Sequence, residues 1–226
     1  MKSVSFYIFA LVAGSVIFIG LPLLGWGISD IPEFFVSPAR LSYMVIMVLL
    51  QTFSVFYNPQ AGRSNQQNKS GIERHKVDLV LIQIFSLAAV LLAPFSDARS
   101  MGVFHYGEAA RLLGFLVLIP GFILMQVSEK YLDRQFSVEV TVQEDHELIR
   151  HGPYTYIRHP RYLGILSFFT GISIIFRSSL GVFIVMALAA VLIWRVYREE
   201  ALMAREFGEE WKSYCRRSWR LVPFLF

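Results

Sequence analysis

The chain has 226 residues, of which 55% are hydrophobic and only 17% charged, and its formal net charge is +4. A soluble domain of this size carries about a quarter charged residues, and here the apolar residues fall in long blocks, so the composition describes an integral membrane protein and excludes an ordinary soluble domain. No basic stripe stands free of those blocks, which excludes a nucleic-acid partner; a lone cysteine, Cys215, excludes an internal disulfide and a thiolate metal site.

Residues 4–24 form the first apolar run, starting two residues after Lys2. The run exceeds the roughly 7–15 apolar residues of a signal peptide and ends without a small-x-small site, so it reads as a retained span. Pro22 is expected to bend its end. A short loop, 28–39, leads to Arg40 and a second run at 41–57 with Gln51 and Thr52 inside it. Loop 58–76 is the most polar stretch; its composition predicts mobility and leaves its lone His75 without a catalytic role. A third span covers 77–95, ended by Pro94, and a fourth covers 109–127, with a kink expected at Pro120-Gly121. After a polar region come two apolar runs, 162–176 and 178–197, turning near Arg177. The first rises only about 22 Å against a hydrocarbon core of about 30 Å, so the pair reads as a tight helical hairpin. The tail, 198–219, is charged and helical in pattern.

The expected fold is therefore all-α: a polytopic membrane bundle of about four spans plus a C-terminal helical hairpin. Residues 1–127 supply the N-terminal spans. Residues 128–226 supply a polar loop, the hairpin and a C-terminal helix. Lysines and arginines crowd loop 58–76, region 128–161 and the tail, while loops 28–39 and 96–108 hold one between them. That bias predicts that both termini and the polar loop face the cytoplasm.

One stretch departs from the apolar pattern. Residues 148–164 read Leu-Ile-Arg-His-Gly-Pro-Tyr-Thr-Tyr-Ile-Arg-His-Pro-Arg-Tyr-Leu-Gly. Proline and glycine impose turns here, and Pro160 suits the first turn of the helix that follows. A second polar group, Trp194-Arg195-Val-Tyr197-Arg198-Glu199-Glu200, ends the hairpin. The hairpin returns the chain to its starting side, so Glu199 and Glu200 are expected against His159 and Tyr162. Arg195 and Glu199, four apart, also suit a plain helical ion pair.

These residues resemble the isoprenylcysteine carboxyl methyltransferase family, which groups with the membrane phospholipid methyltransferases. The resemblance rests on Leu148-Ile149, Gly152-Pro153-Tyr154, Ile157-Arg158-His159-Pro160, Tyr162 and Gly164. It continues through Glu199-Glu200, Phe207-Gly208, Trp211, Tyr214 and Pro223, with Phe136-Ser137 and His146 as a lead-in. Ile157 and Trp211 replace a valine and a tyrosine of the family pattern. The match covers about residues 128–226. It implies S-adenosyl-L-methionine as methyl donor, in a pocket lined by Ile149, His151, Gly152, Tyr154, His159, Pro160 and Tyr162. Glu199 or Glu200 would hold the donor's polar end. No glycine-rich dinucleotide fingerprint is present, and no metal site is expected.

Methyl transfer from a sulfonium is an in-line displacement that needs alignment and exclusion of water more than an acid or base. Aromatic faces such as Tyr154, Tyr156 and Tyr162 attract a sulfonium. A carboxylate acceptor is already ionised and needs a cation to orient it, a task for Arg195 or Arg158. An amine acceptor needs a base, for which His159 or Glu199 is the candidate. The expected partners are the bilayer and a lipophilic or prenylated acceptor. Two other readings stand beside carboxyl methylation: a phospholipid N-methyltransferase, and an NADPH-dependent membrane reductase of the sterol-reductase kind. The sequence names neither the acceptor nor an oligomeric state.

Overall fold

A computed structural model describes residues 4–57, 76–132 and 148–226. Loop 58–75 with His75, and Phe136, Ser137 and His146, lie outside the described residues. The elements in order are α1 (Val4–Ser15), α2 (Leu21–Trp26), α3 (Ile31–Phe34), α4 (Pro38–Tyr57), α5 (Lys76–Ala98), α6 (Glu108–Leu132), α7 (Pro160–Ile175) and α8 (Ser179–Cys215). Among the described residues the only β pairing is two isolated bridges, Val103 with Ser178 and Ile157 with Trp219. Five helical segments are long and apolar enough to cross a membrane, and α7 is the shorter apolar helix between them. The expected four spans plus hairpin is therefore the architecture found.

One proline, Pro94, behaves differently from expectation. Pro22 follows a π-helical turn, Val16–Gly20, which joins α1 to α2. Such a turn absorbs the bond that proline cannot donate. Pro94 does not end its span: α5 runs through it to Ala98. The extra turn is anchored by side chains, since Ser96 Oγ bonds the Met101 carbonyl at 2.5 Å and Asp97 collects arginines. Likewise α6 continues through Pro120 to Leu132.

Helices α6 and α7 pack backbone to backbone. A Cβ on Gly114 would lie 2.7 Å from the Gly171 carbonyl oxygen, and one on Gly121 2.9 Å from that of Gly164. The reverse contacts are equally tight, at 2.7 Å each. Lipid offers no hydrophobic drive for helix association, so small residues that permit close approach supply it. The seven-residue spacing on both helices, in opposite directions, fixes their antiparallel register.

Helix α5 carries a buried aspartate at each end, Asp78 and Asp97, nineteen residues apart and so about 28 Å along the axis. That is close to the hydrocarbon thickness of about 30 Å. Asp97 binds Arg111 from the start of α6 through both oxygens (2.6 and 3.0 Å) and Arg177 from the α7–α8 turn at 2.9 Å. Arg40, from the start of α4, lies 3.6 Å away. Glu108 adds a 2.8 Å pair with Arg111. Four elements are thereby tied together at the end away from the 148–164 loop. Removing one member of a buried ion pair strands the other, at a cost of about 3–5 kcal/mol. Asp97→Asn keeps the shape and removes the charge. It is expected to lower stability by about that amount in detergent-based thermal unfolding, and a midpoint equal to wild type would refute the tie.

Candidate functional site

The site end of the bundle is set by how the 148–164 loop is held. Gly152 opens a 3₁₀ turn, Gly152–Thr155, at φ 62°, and a Cβ there would lie 2.5–2.8 Å from the Tyr131 ring. Only glycine suits both demands. Tyr214, from the last turn of α8, donates to the Tyr154 carbonyl at 2.6 Å. Helix α8 reaches that far back because it breaks direction at Gly208, also in the left-handed region (φ 50°). The tail then pairs with the loop backbone. Trp219 N–H donates to the Tyr156 carbonyl (2.9 Å), Arg158 N–H to Trp219 (2.7 Å) and His159 N–H to Arg220 (3.0 Å). Pro160 starts α7, as expected. Arg158 and His159 are thus fixed by their backbones before their side chains meet α8.

The side chains form one layer. Tyr162 stacks on His159 with ring centroids 5.6 Å apart and planes 2° from parallel. Tyr162 donates to Glu199 at 2.5 Å, and Arg195 Nε lies 2.9 Å from the same carboxylate oxygen and 2.7 Å from the Tyr162 hydroxyl. His159 Nδ1 is 3.4 Å from Glu199, and Nε2 is 3.6 Å from Glu200. Glu200 also takes Arg158 Nε at 2.7 Å on one oxygen and Arg220 Nε at 2.8 Å on the other. Arg158 Nη1 continues to the Ser218 carbonyl and, at 3.2 Å, to its hydroxyl. Arg195 and Glu200 are buried, at 3% and 8% exposure. His159 Nε2 is a buried polar atom without a hydrogen-bond partner among the described residues. A cavity of about 550 Å³ opens against Glu200, lined by Tyr197, Ala201, Trp211 and Arg220 among others.

Burial works against charge on His159, but the two adjacent glutamates outweigh it and hold its pKa above the ordinary histidine value.

Of the residues expected from the sequence, the structure brings together Arg158, His159, Tyr162, Arg195, Glu199 and Glu200. Pro160 is buried at the start of α7 and positions them. Tyr154 is buried and its hydroxyl is 3.4 Å from the Ser128 carbonyl, so it braces the loop against α6. His151 is exposed and lies against Tyr131, ring centroids 5.4 Å apart, while Ile149 is half-buried. Tyr156 is 65% exposed and contributes its backbone rather than its ring. Two members of the layer were not expected. Arg220 holds the second oxygen of Glu200. Asp78, from the first turn of α5, accepts from Arg195 Nη1 at 3.1 Å and from Arg198 at 3.4 Å. An acidic residue in the first turn of an otherwise apolar span was the available signal for Asp78.

The described residues thus form a helical membrane bundle with a charged layer built from an Arg-His-Pro turn and a Glu-Glu pair. Residues 109–210, a little under half of the chain, match the phospholipid methyltransferase family. Protein-S-isoprenylcysteine O-methyltransferase A of Arabidopsis thaliana is 28% identical over 120 residues, covering 50% of this chain and 58% of the relative. A probable protein-S-isoprenylcysteine O-methyltransferase of Oryza sativa subsp. indica is 26% identical over 120 residues, covering 50% and 61%. The Saccharomyces cerevisiae protein-S-isoprenylcysteine O-methyltransferase is 27% identical over 129 residues, covering 54% of each. The matched stretch thus spans about three fifths or less of these relatives' length. The fold is similar to that of the eukaryotic intramembrane Ras methyltransferase ICMT, with a TM-score of 0.54 and 19% identity, covering 98% of this chain and 75% of that one.

A raised histidine pKa has a signed consequence for stability. The stabilisation from a charged His159 is fully present below the unfolded value of about 6.5 and is lost as pH rises through the folded value. The gap in thermal midpoint between wild type and His159→Gln should therefore be widest below about pH 6.5 and narrow as pH rises above it. A gap that widens with pH would show that His159 is buried neutral.

Proposed function

We propose that this protein is a membrane methyltransferase that uses S-adenosyl-L-methionine to methylate a carboxylate on a lipophilic, prenylated acceptor. The observation that carries the proposal is the buried layer in which the stacked His159–Tyr162 pair meets Glu199, Glu200 and Arg195 at the mouth of an apolar hairpin. The residues present fit the donor. His159 Nε2 is an orphaned buried polar atom, two carboxylates suit an ammonium and ribose hydroxyls, and the Tyr162 face suits a sulfonium. Residues 148–226 supply most of this site, with Gly152 and Tyr154 shaping the loop and Ile149 and His151 at its edge.

S-Adenosyl-L-methionine supplies an electrophilic methyl group whose transfer needs no protein nucleophile. The protein's own task is to align, exclude water and orient the acceptor. Among the described residues, four arginines (Arg158, Arg195, Arg198, Arg220) face three carboxylates (Asp78, Glu199, Glu200) in the layer, and His159 adds charge when protonated. That cationic balance favours an anionic acceptor, with Arg195 or Arg158 as its anchor. An amine acceptor would need a base, whereas a carboxylate acceptor is already ionised and needs only a cation to orient it, which favours carboxyl methylation over the phospholipid N-methyltransferase reading. The relatives named above argue against a reductase. The cytoplasmic placement of the layer rests on the lysine and arginine bias of the loops, which suits a water-soluble donor arriving from one side and a lipid tail entering between helices.

The test is donor binding to the purified protein in nanodiscs. Wild type should bind S-adenosyl-L-methionine, and Glu200→Gln and His159→Ala should each weaken binding by roughly tenfold or more while helical content is kept. No binding at millimolar donor would overturn the proposal; unchanged affinity in both variants would remove the pocket.

A further inference from the structure

Helix α8 changes direction at Gly208, and the cavity of about 550 Å³ lies in the crook of that bend. Tyr197, Glu200 and Ala204 line it from before Gly208, Lys212 and Arg216 from after, and Arg220 from the tail beyond. Its charge is lopsided. Among the described residues that line it, three cations face one carboxylate. That carboxylate is already matched, because Glu200 takes Arg158 on one oxygen and Arg220 on the other. Arg220 commits only its Nε to Glu200, and among the described residues its two Nη groups donate no hydrogen bond. The Arg216 side chain is exposed and has no hydrogen-bond partner among them. Lys212 pairs with Glu209 at 2.7 Å, but both side chains stand well out in solvent, where such a pair holds its lysine weakly. The crook of α8 is therefore built to take an anion from outside the chain.

The height of the cavity in the bilayer selects the anion. The apolar run of α8 ends at Trp194 and Tyr197, half-exposed aromatics of the kind that mark a membrane–water boundary. Tyr197 also lines the cavity, so the cavity begins at headgroup level. Turn 221–226 sits at the same level. Phe226 packs on Tyr197 with ring centroids 6.2 Å apart, and the Arg220 guanidinium lies 5.2 Å from the Phe226 ring. The turn is closed by Leu221 and Val222 N–H, which donate to the Phe226 backbone oxygen at 2.9 and 3.1 Å. It holds Phe224 at φ 67°, a region that bulky residues rarely occupy, and leaves Phe224 and Leu225 86% and 83% exposed. A water-soluble anion has no use for that apolar flank, whereas acyl chains do. We propose that the crook of α8 binds the phosphate headgroup of an anionic phospholipid. Lys212, Arg216 and the Nη edge of Arg220 meet the phosphate, and Phe224 and Leu225 lie against the acyl chains. None of His159, Tyr162 and Glu199 lines this cavity, so the lipid site is separate from the donor face and does not depend on the methylation reading.

The experiment uses the whole chain, delipidated in detergent, and reads retained lipid by native mass spectrometry. Phosphatidylglycerol and phosphatidylcholine with identical acyl chains are offered together, with and without millimolar inorganic phosphate. Wild type retains the anionic lipid over phosphatidylcholine by roughly tenfold or more, and inorganic phosphate does not displace it. The double variant Lys212→Ala/Arg216→Ala loses most of that preference. Arg205→Ala/Arg217→Ala removes the same charge from exposed positions that do not line the cavity, and keeps most of it. Phe224→Ser/Leu225→Ser weakens retention of the anionic lipid as well. All these side chains are exposed, and thermal midpoints in lipid-free detergent check that each variant is folded. Should Lys212→Ala/Arg216→Ala fail to fold, Arg216→Gln is read the same way. A wild type without preference overturns the inference. Equal loss in the two charge-removing pairs marks diffuse surface charge and also overturns it. Displacement by inorganic phosphate, with Phe224→Ser/Leu225→Ser unchanged, marks a site for a free anion and overturns the lipid assignment.

Discussion

A guanidinium at the edge of a membrane needs anionic partners on more than one side before its burial is tolerable. Arg195 has carboxylates from two segments, Glu199 one turn on in α8 and Asp78 from α5, and the Tyr162 hydroxyl from α7. Each of those partners is itself committed elsewhere. Tyr162 stacks on His159, Glu199 faces the His159 imidazole and Asp78 takes Arg198. The hairpin, the polar loop and the first half of the chain are therefore joined through one side chain. What looks like a set of separate motif residues is a single electrostatic network.

The rest of the fold makes that network reachable. Reciprocal glycine contacts bring α6 against α7 and so place the start of α7 beside the end of α6. The turn at Arg177 is clamped to Asp97, which fixes where α8 begins its return. Gly208 then redirects α8, so that Tyr214, Trp219 and Arg220 come back over the loop. The two charged layers, about 28 Å apart along α5, give the bundle a defined thickness. One is consumed in holding helices together. The other carries aromatic faces, an orphaned imidazole nitrogen and a cavity beside Glu200.

Much of this was legible in the sequence because the relevant residues come as a compound pattern. Arg158-His159-Pro160, Tyr162 and Glu199-Glu200 bracket an apolar hairpin, and a hairpin returns its ends to one place. The spans were legible from hydropathy, since lipid leaves the backbone little choice but helix. Asp78, Arg220 and the Asp97 cluster were not. Their pairings are set by tertiary packing across large sequence separations, and a single arginine at a helix start, such as Arg40 or Arg111, reads as loop punctuation. Pro94 misled because proline removes one donor without forbidding helix beyond it, provided that the next turn is anchored, as Ser96 and Asp97 anchor it. The resemblance to prenylcysteine carboxyl methyltransferases extended the reading from a polar layer to a chemistry.

The central claim is that this layer directs a methyl group onto a carboxylate. Methyl esters are hydrolysed by base to volatile methanol, whereas methylated amines are not. Purified protein given methyl-labelled S-adenosyl-L-methionine and an S-prenylated N-acetylcysteine in lipid nanodiscs should yield label that is released by base. Arg195→Gln should abolish that release while donor binding persists. Base-stable label, label found on the phospholipid amines of the nanodisc, or full activity in Arg195→Gln would contradict the account.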